Sequence, residues 1–468
     1  MAFTEFCCRS GGSNLNAGTR TGNSTEPGTA ADLTYASGTW VAATGVFTPA
    51  SGDPVADGVA VGDFASVYAN GATTTGFVGR VTARTTLTIT VSLTAKAGTA
   101  PTDGAGDRTL KIGGAWAGPN GADIFPFGVL QITGTTSTGN SPRVNLKNAA
   151  SYGVSASCAH SNTGPATWQG YATNYGDLGK ATIDAGANAV VVVSITGTSN
   201  SLYDLIAANN GSTNVKGIVL AARAIASRVV AHDIGGVGID ATNLILTEAE
   251  AYKCNASNTS GVFAIVAAVA VNCIAHDNDA GANANGIDAT SFAVGCIADS
   301  NAGIGIRTGS NANTQVGAIN CDAYNNGSDG IRAQNGTSGA LVQNCNAVKN
   351  GGFGINISSS SNTNFMLNNN GFGSGSEVNT SGAVSTVNAS AHSFEVGSVT
   401  YASGLTPWVD PVNGDFRINL AAAKGAGRGA YTQTAASYAG AVAYPDVGAV
   451  QSQPSVFRHP GMSGGIAG

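Results

Sequence analysis

Cysteines in the second half of the chain recur at a nearly constant interval, and this repeat constrains the fold more than any other feature. They are Cys254, Cys273, Cys296, Cys321 and Cys345, with the shortest interval between the first two. When the segments are aligned on these cysteines, an alanine follows two positions later in all five. A repeat of this length is typical of a solenoid, in which each repeat packs only on its neighbours.

A Gly-Ile dipeptide forms a second element of the repeat. It begins at Gly286, Gly305, Gly330 and Gly354, and an earlier copy begins at Gly238, two coils before Gly286. Each coil therefore contains at least two short strands. A strand of three to five residues cannot bury its apolar side chains alone, but stacked on the next coil, about 4.8 Å away, it gains a ladder of main-chain hydrogen bonds.

Asparagine recurs at the same offset after each of the last four cysteines, at Asn278, Asn301, Asn326 and Asn350. We expect these residues at the turns, because Asn tolerates left-handed backbone conformations and its amide can hydrogen-bond along a stack. The cysteines are expected inside the coils, since Cys packs as a small apolar residue.

Composition agrees with many short strands joined by tight turns. Charged residues make up 10% of the chain, against about 25% in an average domain, while 43% of the residues are hydrophobic and 66 of 468 are Gly. The apolar content argues against disorder. The net charge of −6 and the absence of Lys/Arg runs argue against nucleic-acid binding.

We expect neither membrane insertion nor secretion through a signal peptide. No apolar stretch is long enough to span a bilayer. The chain begins Met-Ala-Phe-Thr-Glu-Phe, with no basic region followed by an apolar one. We therefore predict synthesis in a cytoplasm, with particle assembly and lysis as one route out of the cell.

The repeat and its flanks predict five regions. They are an extended N-terminal arm (1–30), a small antiparallel β domain that serves as an attachment module (31–112), a linker and helix cap (113–139), the stacked coils (140–400), and C-terminal closing strands with a tail (401–468). Strands of the small domain are predicted at 39–44, 64–68, 76–82 and 86–93, divided by Gly-Asp and Asn-Gly turns. Asp415-Phe416-Arg417-Ile418 and 444–451 are predicted as terminal strands.

The Asn-Cys and Gly-Ile units resemble those of right-handed parallel β-helix proteins, the pectin-lyase-like superfamily. The tail segments DFRINL, GAGRGA and YPDVGAVQ resemble the C-terminal ends of bacterial and phage β-helix proteins. Two further segments, KIGGAWAGPNGADIFP and GYATNYGDLGKATI, resemble β-helix proteins of tailed phages and environmental bacteria. The resemblance implies an all-β fold: a right-handed parallel β-helix with a small N-terminal antiparallel domain and a C-terminal cap.

For function, the resemblance implies a structural protein of a phage virion: a tail fibre, a tailspike or a capsid decoration protein. It would be located in the virion and bound to other virion proteins through its N-terminal region. Homotrimer formation and receptor binding to host surface glycans are further expectations. We predict no cofactor and no metal, and we interpret the chain as a non-enzyme. Two alternatives stay open: a tailspike-type polysaccharide lyase or hydrolase, and a bacterial surface filament protein.

One cluster of polar residues keeps the enzyme alternative open. Asp277, Asp279 and Asp299 are the candidate catalytic residues, because the repeat places His232-Asp233, His276-Asp277 and Asp299 at the same turn of different coils. Stacked carboxylates could act as general acid and base, bind a cation, or contact a sugar. The alternative interpretation is that Asp and Asn fill solvated turns because turn geometry favours them. Glu248 and Glu250 are open to the same two interpretations.

A second column of charges follows the Gly-Ile units, with Asp240 and Asp288 at matching positions joined by Arg307 and Arg332. The remaining candidates favour packing roles. His160 is expected to be a packed or turn histidine, the aromatic cluster Trp168, Tyr171 and Tyr175 is expected in a core or cap, and Cys7-Cys8 is expected to be a pair of thiols without a special role.

Overall fold

In the computed structural model, most of the chain between 30 and 357 is described, with shorter pieces on either side. The described residues are 4–9, 17, 30–72, 77–98, 100–113, 142–148, 151–160, 166–197, 200–211, 214–221, 223–278, 284–309, 315–334, 340–357, 364–367, 370–371, 387–388, 393–396 and 408–418. The chain divides into two compact units, residues 1–209 with 218–229 and residues 210–217 with 230–468.

The first unit contains a seven-stranded antiparallel sheet. Its strands are Leu33–Tyr35, Gly38–Val41, Val46–Pro49, Phe64–Ala69, Phe77–Arg84, Ile89–Gly98 and Arg108–Ile112. One face packs around buried aromatic and aliphatic side chains that include Trp40, Phe47 and Phe77. The small antiparallel sheet predicted from the sequence is confirmed. The sequence did not predict the strands Leu33–Tyr35, Val46–Pro49 and Arg108–Ile112.

The first unit also contains parallel coils. Three of its strands pair in one sheet: Ser151–Gly153, Ala181–Asp184 and Leu205–Ala208. The other coil strands of this unit are Thr4–Cys8, Pro142–Lys147, Cys158–His160, Thr167–Tyr171, Val193–Ile195, Ser201–Tyr203, Ile218–Leu220 and Ile225–Ser227. The N-terminal strand Thr4–Cys8 lies parallel to Pro142–Lys147, with Cys7 opposite Asn145. This pairing joins distant parts of the chain and has no signal in the sequence repeat.

The second unit contains seven parallel strands that we call the triplet sheet. They are Val230–His232, Glu250–Tyr252, Ile274–His276, Ile297–Asp299, Asp322–Tyr324, Asn346–Val348 and Asn370–Gly371. In the first six strands the middle residue is Ala, and each of these alanines is fully buried. Because alternate side chains of a strand point to opposite faces, the first and third residues of each triplet lie on the outer face.

The remaining coil strands of the second unit carry the Gly-Ile elements and the segments before each cysteine. They are Ile239–Thr247, Phe263–Val271, Asn285–Val294, Ile306–Thr308, Val316–Ile319, Ile331–Ala333, Ala340–Gln343, Ile355–Ile357, Asn364–Leu367, Val387–Asn388 and Ser393–Val396. Ile287, Ile306, Ile331 and Ile355 occupy the same register position in successive coils. The predicted all-β parallel β-helix is therefore confirmed, and the chain has almost no helix in its described part.

Buried asparagines join successive coils by side-chain hydrogen bonds. The Nδ2 of Asn278 donates to Asn301 Oδ1 at 2.6 Å, Asn301 to Asn326 at 2.8 Å, and Asn326 to Asn350 at 2.9 Å. Each of the four amides also donates to the carbonyl of a triplet alanine one coil back. The predicted hydrogen bonding of Asn along the stack is confirmed.

Glycine precedes the inward isoleucine because the asparagine ladder passes close to the main chain there. A Cβ on Gly305 would lie 2.6 Å from Asn326 Nδ2 and 2.6 Å from the carbonyl oxygen of Gly330. A Cβ on Gly330 would meet Asn350 and Gly354 in the same way. A side chain at either position would push neighbouring coils apart.

The alignment of Cys254 with the other four cysteines is wrong. The register pairs Tyr252 with His276, so Cys254 lies opposite Asn278 in the asparagine column, and Ala249 occupies the cysteine position of its coil. Both positions face the interior and accept a small side chain. The Cys254 thiol contacts the carbonyl of Ala231 at 3.8 Å, the position equivalent to the alanine carbonyl that each asparagine amide reaches. The short interval between Cys254 and Cys273 results from this difference.

The second unit also contains an antiparallel hairpin, formed by Trp408–Asp410 and Asp415–Ile418 around the 3-10 turn Pro411–Asn413. Gly414 ends the turn in a left-handed conformation with φ of 77°. The predicted strand at Asp415–Ile418 is thus present, and the predicted strand at 444–451 lies outside the described residues.

We predict that Asn326→Ala destabilises the protein by about 3 kcal/mol, because several buried donors and acceptors lose their partners at once. Asn326 is almost fully buried, and its Oδ1 accepts hydrogen bonds from both the main chain and the side chain of Asn301. Urea unfolding followed by circular dichroism measures the change. Asn243→Ala is the matched control, since Asn243 is exposed on a strand. Equal effects of the two substitutions would contradict the role of the ladder.

Candidate functional site

The third residues of the triplets form a continuous column of side chains on the outer face of the triplet sheet, which we call the outer column. It runs through His232, Tyr252, His276, Asp299, Tyr324 and Val348. Parallel in-register pairing puts each of these side chains directly beside the next, one strand spacing away.

Three aromatic rings of this column stack on one another. The rings of His232 and Tyr252 lie 5.0 Å apart and within 13° of parallel, and those of Tyr252 and His276 lie 5.1 Å apart and within 18°. The stack follows from the strand spacing, which places planar side chains at a distance that suits contact between them. Because stacked rings cover each other's faces, their edges are directed outward.

His276 lies between two carboxylates. Its Nδ1 is 2.8 Å from Asp277 Oδ2, and its Nε2 is 3.1 Å from Glu250 Oε1. Burial of the ring opposes protonation, but the hydrogen bonds and charges of Glu250 and Asp277 outweigh it, so the pKa of His276 is raised. His232 makes a similar contact, 2.7 Å from its Nδ1 to Asp233 Oδ2.

Asp299 is the next residue of the outer column, and it is only 9% exposed. Burial raises the pKa of this carboxyl to about 6, although a hydrogen bond from Ser300 Oγ at 3.0 Å opposes the change. The negative charge of Asp277 raises this pKa further, and His276 lowers it. Asp299 is therefore a carboxyl group that keeps its proton to a higher pH than an ordinary aspartate does.

Asp277 follows His276 in a left-handed conformation with φ of 51°, and its side chain is 57% exposed. Its main-chain N–H donates to the carbonyl of Asp299 at 3.1 Å. Residues at the same turn in other coils, among them Asp233 and Ser300, also have positive φ. The structure thus brings Asp277 and Asp299 together on adjacent coils. The third candidate, Asp279, lies outside the described residues.

The charged column beside the Gly-Ile units forms ion pairs. Asp288 accepts two hydrogen bonds from Arg307, at 2.6 and 3.0 Å, and the guanidinium of Arg307 lies 4.2 Å from the ring centroid of Phe263. Asp240 pairs with Lys216, and Arg332 pairs with Asp329. The pairs Asp288–Arg307 and Asp240–Lys216 join neighbouring coils, whereas Arg332–Asp329 lies within one coil.

The other residues singled out in the sequence have packing roles. His160 is almost fully buried, and its ring meets Trp168 edge-on at 4.8 Å. Tyr171 is buried, contacts Tyr175, and lies 3.1 Å from the sulfur of Cys7 through its hydroxyl. The predicted packed histidine is present, while the three aromatic residues make separate contacts, Trp168 with His160 and Tyr171 with Tyr175.

All eight cysteines are buried thiols. Burial raises the pKa of the Cys158 and Cys254 thiols to about 12, and it also raises the pKa of Cys8, Cys273, Cys296 and Cys321. A buried thiol that stays protonated is a poor nucleophile and metal ligand. In the described part of the chain, no group of three His, Cys, Asp or Glu side chains has the arrangement of a metal site. No helix in that part is long and apolar enough to cross a membrane.

Tyr252, Tyr324 and Val348 are the members of the outer column that the sequence did not predict. The signal was available in the triplets themselves, which read Val-Ala-His, Glu-Ala-Tyr, Ile-Ala-His, Ile-Ala-Asp and Asp-Ala-Tyr. Aligning them on the alanine, rather than on cysteine alone, puts all of these third residues in one column.

Comparisons with known proteins give the fold but no family. No protein-family model and no curated protein matches the sequence. Among solved structures the chain is similar to the crystal structure of pectate lyase Pel9A, at 13% identity over 67% of this chain and 88% of that chain, with a TM-score of 0.37. It is also similar to the A-module of mannuronan C-5 epimerase AlgE4 from Azotobacter vinelandii, at 16% identity over 49% and 70% of the two chains, with a TM-score of 0.32.

Both solved structures are enzymes, a lyase and an epimerase. These findings contradict the prediction that this chain is not an enzyme, and we do not retain it. At such identities and TM-scores the likeness concerns the fold alone. The function must therefore be inferred from the chain's own residues, above all from Asp277, Asp299 and the rings beside them.

We predict that Glu250→Gln lowers the pKa of His276, because the substitution removes a negative charge 3.1 Å from Nε2. A histidine whose pKa is raised by folding stabilises the fold fully at low pH and loses that contribution as the pH rises through the raised value. As the pH rises through the pKa of His276, the free energy of unfolding should therefore fall less in the variant than in the wild type. Histidine NMR titration measures the shift, with His232 as the internal control. An unchanged His276 titration would contradict the assigned contact.

Proposed function

We propose that the chain is a polysaccharide-acting enzyme, a hydrolase of the tailspike type, that binds a glycan along the outer column and cleaves it beside Asp299. The observation that carries the proposal is the pair of Asp299 and Asp277 on adjacent coils in opposite environments, one carboxyl buried and the other exposed. Two carboxyl groups whose surroundings differ in this way are the usual means by which a glycosidase separates its acid from its base.

The chemistry assigned to the pair is hydrolysis of a glycosidic bond. Asp299, whose pKa is raised to about 6 by burial, donates its proton to the glycosidic oxygen as the bond from that oxygen to the anomeric carbon breaks. A water molecule attacks the anomeric carbon and gives its proton to the exposed carboxylate of Asp277. His276 contacts Asp277 and acts as a positioning residue for that carboxylate.

The stack of His232, Tyr252 and His276 is assigned to substrate binding. Its ring edges and flanking carboxylates form a row of polar groups repeating once per coil, which suits the regularly repeated hydroxyl groups of a linear glycan. Binding of this kind depends on hydrogen bonds and partly buried rings.

The charges around the stack favour an uncharged or amino-sugar polymer over a polyuronate. Asp233, Glu250 and Asp277 surround the rings, and Asp299 adds a fourth carboxyl. Repulsion between these groups and uronate carboxylates would oppose binding of pectate or mannuronan, the glycans named for the two solved structures.

The place where the enzyme acts is proposed from the sequence. We propose that the enzyme is carried on a phage virion, attached to other virion proteins through its N-terminal region, and that it forms homotrimers. The weakly charged, polar composition supports display at a surface that meets host glycans. Immunogold labelling of purified particles and sedimentation analysis of the isolated protein test these two points.

We predict that Asp299→Asn lowers the rate of glycan cleavage about 10²–10⁴-fold, the usual effect of losing a general acid. Wild-type activity should fall as the pH rises through about 6. The variant should be no less stable than the wild type at neutral pH, because it removes the cost of a buried charge. Reducing-end assays and thermal unfolding measure both effects.

Asp240→Asn is the matched control, since Asp240 pairs with Lys216 away from the outer column. Asp277→Ala should also abolish turnover. Full activity of both Asp277→Ala and Asp299→Asn would overturn the proposed mechanism. A wild-type protein that releases no product from any glycan of a broad array would overturn the proposed function.

We also predict that neutral polymers such as xylan or amylose are bound more tightly than polygalacturonate or polymannuronate, and that this preference narrows as salt is raised. The Glu250→Gln and Asp233→Asn variants should bind the polyuronates better than the wild type does. Affinity electrophoresis with each polymer in the gel compares them. A wild-type preference for polyuronates would contradict the charge argument.

A further inference from the structure

The outer column changes from partly exposed to buried side chains at Asp299. The side chains of His232 and His276 are 22% and 27% exposed. Asp299 is 9% exposed, and the next two residues of the column, Tyr324 and Val348, are 4% and 3% exposed. A ligand that follows the column from His232 therefore meets partly exposed side chains in three coils and buried side chains in the next three.

The hairpin of Trp408–Asp410 and Asp415–Ile418 covers the column at Tyr324. The ring of Tyr324 meets Trp408 at 5.6 Å and Phe416 at 6.4 Å, both edge-on, and the latter two rings are 5.2 Å apart. All three rings are almost fully buried. Lys349 Nζ lies 5.7 Å from the Tyr324 ring centroid. Well-packed aromatic contacts of this kind fix the hairpin on the outer face of the triplet sheet.

We propose that this hairpin is a wall that ends the glycan path beside Asp299, so that the enzyme accepts a polysaccharide by its end and acts as an exo-hydrolase. The inference rests on the proposed function, and it adds the mode of attack. Tyr324 is the direct register partner of Asp299, so the covered coil adjoins the acid with no open coil between them.

The position of the wall determines which part of the chain is released. The three stacked rings offer a binding path on one side of Asp299, and among the described residues the hairpin covers the column on the other side. The long portion of the polymer lies over His276, Tyr252 and His232, and the short portion next to the wall is released. An internal segment of a long chain would have to pass through the hairpin in order to reach Asp299.

The first experiment measures binding without turnover, using the full-length Asp299→Asn variant and glycan-array hexasaccharides with free ends or with both ends coupled to a bulky group. We expect blocking of the ends to weaken binding at least tenfold. Equal binding of free and blocked hexasaccharides would overturn the exo mode while leaving glycan binding intact. Absence of binding to every glycan of the array would overturn the proposed function, and this inference with it.

The second experiment opens the wall. Tyr324→Ser removes the ring on which Trp408 and Phe416 pack, whereas Tyr324→Phe keeps that ring and is the matched control. In the Tyr324→Ser variant, the viscosity of a polymer solution should fall several-fold faster per reducing end released than in the wild type. Glycans with blocked ends should then bind as tightly as those with free ends. Phe416→Ser is a second route to the same result if Tyr324→Ser does not fold. Unchanged product lengths in a folded, wall-opened variant would overturn the proposal.

Discussion

In-register hydrogen bonding between successive parallel coils is the constraint on which the rest of this structure depends. Main-chain ladders join each triplet to the next, and inside the turns the amides of Asn278, Asn301, Asn326 and Asn350 repeat the same connection with side chains. A coil slipped by one residue would turn its buried alanine outward and break its amide contacts. The register is therefore held at two places in each of these four coils.

The same register creates the candidate site. Because the middle residue of each triplet must be a small inward side chain, the third residue always lies on the outer face, directly beside its counterpart in the next coil. This places His232, Tyr252 and His276 in a ring stack, and it puts Asp299 beside His276.

A residue of this protein can suit a turn and also be a candidate catalytic group. Asp277 occupies a left-handed turn position, as the sequence analysis expected for Asp and Asn, and the same turn leaves its carboxylate exposed next to His276. By contrast, Asp240 and Asp288 are tied to Lys216 and Arg307. The repeat places all of these carboxylates in columns, and only the residues that each one contacts distinguish the candidate catalytic groups from the ion-paired ones.

The amino-acid sequence by itself determined the parallel β-helix, the small antiparallel sheet and the placement of Asp277 and Asp299 on neighbouring coils. It could do so because in-register stacking repeats each contact at an offset of about one coil, which is readable as a period. Tertiary structure alone paired the N-terminal strand with Pro142–Lys147 and placed Trp408 on Tyr324. The last contact joins distant parts of the chain, and no repeat relates them. The exposure of a carboxyl group depends on which segment covers it. A covering segment from outside the repeat produces no periodic pattern in the sequence, so the sequence does not predict it.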